Sequence, residues 1–242
     1  MRLILDADSL IYSACFNVET LDEAKNKFDN YLGYVLKDLS DICEFDDIWI
    51  CNGSKNNFRV ALNKQYKANR TQERPAFLSE LHNHVKKEFN SYWVDGYETD
   101  DVVATLWKQS CDELGENNVI IAANDKDYKQ FPCWFFDTYY SRRELVKIED
   151  FEAKYNFYHQ MIMGDTADNV KYFKGYGKAK AHKILKGAKT EFALIRRVYS
   201  LFLEFYKDEA KDKFNECKKM LKLVTNVKKI KQYESFKQVS SI

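Results

Sequence analysis

The sequence predicts an α/β fold, a central, mostly parallel sheet flanked by helices, and three observations point there. Short apolar runs alternate with longer segments of helical spacing, the pattern of strand–helix–strand crossovers. Only 8 Gly and 2 Pro interrupt 242 residues, too few for a turn-rich β-sandwich and incompatible with collagen-like or low-complexity chains. Hydrophobic residues at 45% beside charged residues at 31% suit a folded core with a charged surface and exclude wholesale disorder.

The elements follow in order. Arg2–Asp6 is a short apolar run ending in an acid and reads as a buried strand, with helical spacing over Ser9–Phe16 and Leu21–Cys43. Asp47–Cys51 is a second strand, closed by the turn signal Asn52–Gly53. Phe58–Arg70 is expected to be helical and is strongly basic. Leu78–Phe89 is a further helix, and Ser91–Val94 a strand. Thr99 precedes a helix over Asp100–Cys111, whose first turn is acidic as helix starts prefer. Val119–Ala123 is an apolar strand ending at Asn124–Asp125 and followed by a helix, and Cys133–Thr138 is another strand. From Glu149 onward only helices are expected.

The formal net charge of +1 hides an asymmetry. Residues 171–242 carry 19 Lys+Arg against 7 Asp+Glu, whereas residues 1–170 carry 19 against 30. Such polarity suggests a polyanion-binding region joined to an acidic one. Six cysteines without a C-x-x-C pair read as reduced thiols. No apolar run reaches the ~20 residues that span a bilayer, and the chain opens on a strand and not on a targeting segment. A cytoplasmic protein without membrane contact is the expectation.

The acids fall where strands end. Asp6 closes the first strand with Asp8 beyond it; Glu98, Asp100 and Asp101 follow Val94; Asp125 and Asp127 follow Ala123; Asp165 and Asp168 lie in Gly164-Asp-Thr-Ala-Asp-Asn169. On a helix Asp165 and Asp168 would share a face, as would Glu98 and Asp101, and repel one another. Open α/β sheets bind ligands at the carboxyl ends of their strands. Carboxylates gathered there require compensation, and oxygen-only ligation suits Mg2+ or Mn2+. The favoured reading is a site for two such ions, which about 4 Å apart can activate water and stabilise a leaving oxygen of a phosphodiester. Any one pair taken singly is more often a helix cap or a solvated charge; all four acidic groups at one edge of the sheet is a much less probable accident.

Cations are supplied separately. Arg59, Tyr66, Lys67 and Arg70 would cluster on one surface of the basic helix, cations for phosphates and a ring for a base. Gly175-Tyr-Gly177 is surrounded by Lys171, Lys174, Lys178, Lys180 and Lys183, a glycine turn opening a helix that suits the backbone of duplex DNA.

Phe58-Arg59, Tyr66-Lys-Ala-Asn-Arg70, Gly96-Tyr-Glu-Thr-Asp-Asp101, Asn124-Asp-Lys-Asp127 and Gly164-Asp-Thr-Ala-Asp-Asn169 occur in the order and approximate spacing of the 5′-nuclease superfamily, which the chain resembles up to about residue 185. That superfamily includes flap endonucleases, bacteriophage 5′–3′ exonucleases and the 5′-nuclease domain of bacterial DNA polymerase I. The resemblance implies a nuclease core over residues 1–148, with a helical arch at about 56–90. It also implies a helical DNA-binding region over 149–242, with a helix–three-turn–helix at about 165–185. Carried over, Asp6, Glu98, Asp100 and Asp125 would serve the catalytic metal with Asp101 beside them, and Asp127, Asp165 and Asp168 the second. Lys67 and Arg70 would steer the scissile phosphate, Arg59 would support it, and Tyr66 would stack on a frayed base. Lys174, Gly175, Gly177, Lys178 and Lys180 would clamp the duplex, where relatives often bind K+. The implied substrates are DNA with 5′ ends, flaps or nicks, and RNA in RNA/DNA hybrids, cleaved by a monomer.

Two departures stand out. Asn52 occupies the place of a usual Asp, and Lys171, Tyr172 and Lys174 replace the usual Pro and Gly residues, with Ala179 where a Lys is usual. Leu5-Asp-Ala-Asp-Ser-Leu10 also matches the opening of haloacid-dehalogenase-like phosphatases, whose first Asp is a covalent nucleophile. That alternative leaves Glu98–Asp101, Asp125 and Asp127 without roles. A non-catalytic branched-DNA-binding protein would keep the clamp and have no use for the acids, and a PIN-type ribonuclease would lack the clamp.

Overall fold

In the computed structural model, which describes residues 1–53, 57–89 and 91–233, the run Arg2–Asp6 forms the central strand β1, buried along its whole length. It lies parallel between β2 (Asp47–Cys51) and β4 (Val119–Ala123), with Leu5 opposite both Ile50 and Ala122. β3 (Ser91–Trp93) continues the parallel sheet beside β2, and β5 (Trp134–Asp137) beside β4. Two short antiparallel strands close the edges: β6 (Leu145–Lys147) on β5 and β7 (Lys231–Tyr233) on β3. The result is the mixed, mostly parallel sheet expected, and strands buried on both faces read as continuous apolar runs for that reason.

Alternation along β1 divides the core. Leu3 and Leu5 face one side, with α1 (Asp8–Ala14), α2 (Leu21–Ser40) and α4 (Leu78–Glu88) contributing Ile11, Phe28, Leu32 and Leu81. Ile4 faces the other, with Val103 and Trp107 of α5 (Thr99–Leu114). A third core gathers Phe157, Phe173, Leu194, Phe202 and Cys217 among α6 (Asp150–Met163), α7 (Lys178–Leu185), α8 (Glu191–Tyr206) and α9 (Ala210–Leu221). All six cysteines are free thiols. No helix among the described residues is long and apolar enough to cross a membrane.

Three expectations need correction. The basic segment is helical only over α3 (Phe58–Leu62), and residues 64–69 are turns, with Lys67 left-handed at φ +55°. The residues after Asn124 form a short 3-10 turn, Lys126–Gln130. The chain beyond Glu149 is not wholly helical: residues 222–233 return to the sheet, burying Leu223 and Val227 beside Ile4 and Trp107 before pairing as β7. Residues 56 and 90, the expected ends of the arch, and the last nine residues lie outside the described residues.

Candidate active site

Because β1 and β4 are parallel neighbours in register, Asp6 at the end of one and Asp125 just past the other arrive at the same sheet edge. Glu98 is the N-cap of α5 and forms a capping box with Asp101, which places Asp100 in the first turn beside them. Asp6, Asp8, Glu98, Asp100 and Asp125 line one open cavity of about 650 Å³, with Lys67, Arg70, Lys126 and Arg142 also in its wall.

The carboxylates there are held under electrostatic pressure. Asp6 is 9% exposed, accepts hydrogen bonds from the Tyr128 hydroxyl (2.6 Å) and the Asp8 N–H (3.0 Å), and is pushed up to about 7 by burial and then by Asp8. Asp127 is pushed to about 7 by burial and by Asp125, although Gln160 donates to it at 2.9 Å. Burial, with Asp101 and Glu98, pushes Asp100 well above the carboxylate range. Asp125 opens onto the cavity, yet the surrounding protein thins the water near it and raises its carboxyl as well. The Asp127 N–H donates to Asp125 Oδ1 at 2.8 Å.

The last acidic pair arrives through a turn and not a helix. After α6, Gly164 takes φ +76°, and a Cβ there would come within 2.3 Å of the Val170 carbonyl oxygen, so only glycine fits. Asp165 and Val170 then exchange two backbone hydrogen bonds of 2.8 Å, closing the loop that carries both acids. Asp165 is 5% exposed and pairs with Lys126 at 2.8 Å; burial pushes its carboxyl up, but Lys126 and two backbone N–H groups outweigh that and hold it low. Asp168 pairs with Arg70 at 2.9 Å and Lys67 at 3.6 Å.

Lys67 and Tyr66 tie this loop to Glu98. The Lys67 N–H donates to the Asp168 carbonyl at 2.9 Å, which pins the left-handed residue, and its ammonium pairs with Glu98. The Tyr66 hydroxyl lies 2.7 Å from both Glu98 Oε2 and Asp168 Oδ2. Burial raises Glu98, yet Lys67, Tyr66 and Arg59 together bring it below the ordinary value. Tyr66 is 4% exposed and is therefore a buried strut, not a ring on which a base can stack.

Arg59 and Asp101 also depart from their expected roles. Both are essentially inaccessible, and the guanidinium grips the carboxylate through two bonds of 2.7 and 2.8 Å. Arg59 further donates to Glu98 (3.1 Å) and to the carbonyls of Met220 (3.0 Å) and Lys222 (3.3 Å). Asp101 also accepts the Val224 N–H at 2.8 Å. Neither is free to touch a phosphate or a metal; the pair instead locks α3 to α5, to the end of α9 and to the chain that follows it. Asn52 is likewise buried, its carbonyl oxygen 2.6 Å from His82 Nδ1 and its amide on Ser91, so it does not line the cavity. Burial lowers His82, and because an amide oxygen only accepts, Nδ1 of the ring is the donor to Asn52.

Several residues at the site were assigned no role by the motifs. Asp8 accepts hydrogen bonds from the Gly53 N–H (2.9 Å) and the Thr99 hydroxyl, joining the turn after β2 to the start of α5. Its position two residues after Asp6 was the only clue. Lys126 and Gln160 needed the fold to reveal them. Lys174, Gly175, Gly177, Lys178 and Lys180 lie apart from the cavity on an exposed turn leading into α7, with Gly175 at φ +78° and Lys180 over the Tyr176 ring at 4.9 Å.

Among the described residues no three carboxylate, imidazole or thiol groups are drawn into a ready-made cage. The acids are spread along the cavity wall, and ammonium groups serve as counter-charges for Glu98 and Asp165. The donor set still fits a hard divalent cation: it is oxygen-only, open on one side, and destabilised as long as its charges go uncompensated.

Residues 1–156 match the model of the 5′–3′ exonuclease N-terminal, resolvase-like domain. The chain is 25% identical over 236 residues to DNA polymerase I of Bacillus subtilis (strain 168), covering 89% of this chain and 26% of the polymerase. It is 24% identical over 218 residues to a 5′–3′ exonuclease of Buchnera aphidicola subsp. Schizaphis graminum, covering 82% and 72% of the two. The chain thus spans about a quarter of the length of the polymerase it matches. Among solved structures it is similar to the bacteriophage T5 flap endonuclease in a pseudo-enzyme–product complex with DNA and metal ions, with TM-score 0.59, 14% identity, and coverage of 91% and 99%. The T5 5′-exonuclease with bound zinc gives 0.57 and 17%, covering 92% and 100%. At such identities the likeness establishes the fold.

Proposed function

The chain belongs to the 5′–3′ exonuclease family, and we propose that it hydrolyses phosphodiester bonds of DNA bearing 5′ ends, flaps or nicks, with two divalent cations. The observation that carries this reading is the convergence of carboxylates from three separate stretches of chain, Asp6, Glu98 with Asp100, and Asp125, on one cavity beside Lys67 and Arg70, which in turn pair with Asp168. Asp6, Glu98, Asp100 and Asp125 would hold one cation, and Asp127, Asp165 and Asp168 the other. Mg2+ or Mn2+ bound there supplies activation of the attacking water and charge stabilisation at the leaving oxygen.

The chain's own groups do the rest. Lys67 and Arg70 present cations at the cavity wall, where a substrate phosphate competes for them with Glu98 and Asp168. Tyr66 and Arg59 hold Glu98 in place from behind, and the Asp165–Val170 loop holds Asp168 opposite. Lys174, Lys178 and Lys180 with Gly175 and Gly177 would grip duplex backbone, and that glycine turn is the place for a K+ ion. RNA in RNA/DNA hybrids is included as a substrate because phosphate-directed contacts do not distinguish the two backbones.

The test is product size from 5′-end-labelled flap, nicked and blunt duplexes, with and without Mg2+. Short labelled products from flapped and nicked DNA only in the presence of Mg2+ are expected. Hydrolysis of a small phosphate ester without DNA cleavage would favour the phosphatase alternative. Binding without any cleavage would leave a DNA-binding protein.

A further inference from the structure

Beyond the carboxylates, the turn between β5 and β6 carries groups that the proposed reaction leaves unused. It is closed on itself: the Tyr139 N–H donates to Asp137 Oδ1 at 3.0 Å, and the Arg142 N–H to the Tyr139 carbonyl at 2.8 Å. The turn holds the Tyr139 and Tyr140 rings 5.4 Å apart and leaves them 44% and 76% exposed. Arg142 lies over the Tyr139 ring at 4.6 Å. Its guanidinium donates to Asp137 at 2.9 Å and to Asn124 at 2.8 Å, the residue preceding Asp125.

Arg142 is therefore a wall of the catalytic cavity and also of an adjoining cavity of about 500 Å³. Lys129, Phe135 and Asp137 line both, and Tyr140 and Arg143 line the second alone. A continuous groove runs from the acidic edge of the sheet to an aromatic ring standing in water. Of its cations, Arg142 pairs with Asp137 and Arg143 with Asp38, and Lys129 lies over the Phe135 ring.

The geometry points to a binding site for unpaired DNA at this turn, in which a single strand leaving the catalytic cavity lays a base on Tyr140 while Lys129 and Arg142 hold its phosphates. An aromatic face accepts any base, and cations spaced along a groove follow a backbone, the combination that binds single strands without sequence preference. An apolar peptide would gain the ring and have to cover the charged groups of Lys129 and Arg142; a duplex could not bring a base face to it without unstacking. The inference rests on the proposed nuclease function only for the direction from which the strand comes.

The test measures binding in EDTA, so that no turnover is required. A fluorescent duplex with a single-stranded tail of about ten thymidines, long enough to cover one such site, is compared with the same duplex made blunt. Tyr140→Ala should weaken binding of the tailed duplex about tenfold, the loss of one base–ring stack, and leave the blunt duplex unchanged. Tyr140→Phe, which keeps the ring, should restore the affinity. Equal losses on both duplexes, no loss on the tailed one, or no wild-type preference for the tail would each overturn the assignment. A chain that shows the tail effect and cleaves nothing refutes the nuclease reading and keeps this site; a chain that cleaves without any effect at Tyr140 does the reverse.

Discussion

Replacing Arg59 by Ala should be among the most destabilising single changes in the chain, and it should act on folding and not on phosphate contact. Arg59 is 2% exposed and Asp101 is fully buried. Burial opposes the guanidinium charge, and Asp101 outweighs it, so Arg59 keeps its charge. Removing the cation strands a buried carboxylate and frees two backbone carbonyls, at Met220 and Lys222, from their donor. Breaking a buried pair in this way costs about 3–5 kcal/mol, and for a chain of this length that lowers Tm by about 6–20 °C. Urea unfolding of Arg59→Ala, Asp101→Asn and the double variant should show strong coupling, with the double variant less destabilised than the sum of the singles. A loss under about 1 kcal/mol, the value of an exposed pair, would refute the structural role. So would a fall of about one in the salt slope of DNA binding for Arg59→Ala, the signature of a lost phosphate contact.

Other outcomes follow from the same geometry. Asp125→Asn should nearly abolish cleavage while duplex affinity, measured by anisotropy, stays within about twofold, because the substituted group lies in the cavity and not on the basic turn. Changing Lys178 and Lys180 together to Ala should reduce the salt slope of duplex binding by about two; an unaltered slope would remove the clamp. Asp6 and Asp127, both pushed up to about 7, keep protons in the folded chain that the unfolded chain has released above pH 4. Their contribution to metal-free stability is therefore present at low pH and lost as pH rises toward 7. Cation binding must displace those protons, so the rise in Tm on adding Mg2+ should be larger at pH 8 than at pH 5.5; equal shifts would contradict it.

Much of the sheet was legible because β1 and β4 carry the apolar runs Leu3–Leu5 and Val119–Ala123, and the acids at or just beyond their ends, Asp6 and Asp125, marked the edge where the site forms. β7 was not: three residues, Lys231–Tyr233, have no apolar pattern and become a strand only because residues 222–233 pack back on α5 and β3. The cavity's carboxylates were identifiable from the sequence, whereas the roles of Arg59, Tyr66 and Asp101 were not. Helical spacing placed Arg59 and Tyr66 on an outward face, but the helix stops at Leu62, and the turn at Lys67 directs Tyr66 toward Glu98 and Asp168. Nothing local to Asp101 announces that a buried guanidinium 42 residues earlier will claim it. Asp165 and Asp168 come together through a glycine-dependent loop, so their spacing was right for proximity and wrong for a helix.

Counting bound cations tests the central claim most directly. Titration of the chain with Mn2+, followed by the loss of the free-ion electron paramagnetic resonance signal, should reveal two sites per chain. In Asp125→Asn at least one of them should be weakened strongly. Binding of no ion, or two ions held equally well by wild type and Asp125→Asn, would contradict a pair of cations gathered by these carboxylates.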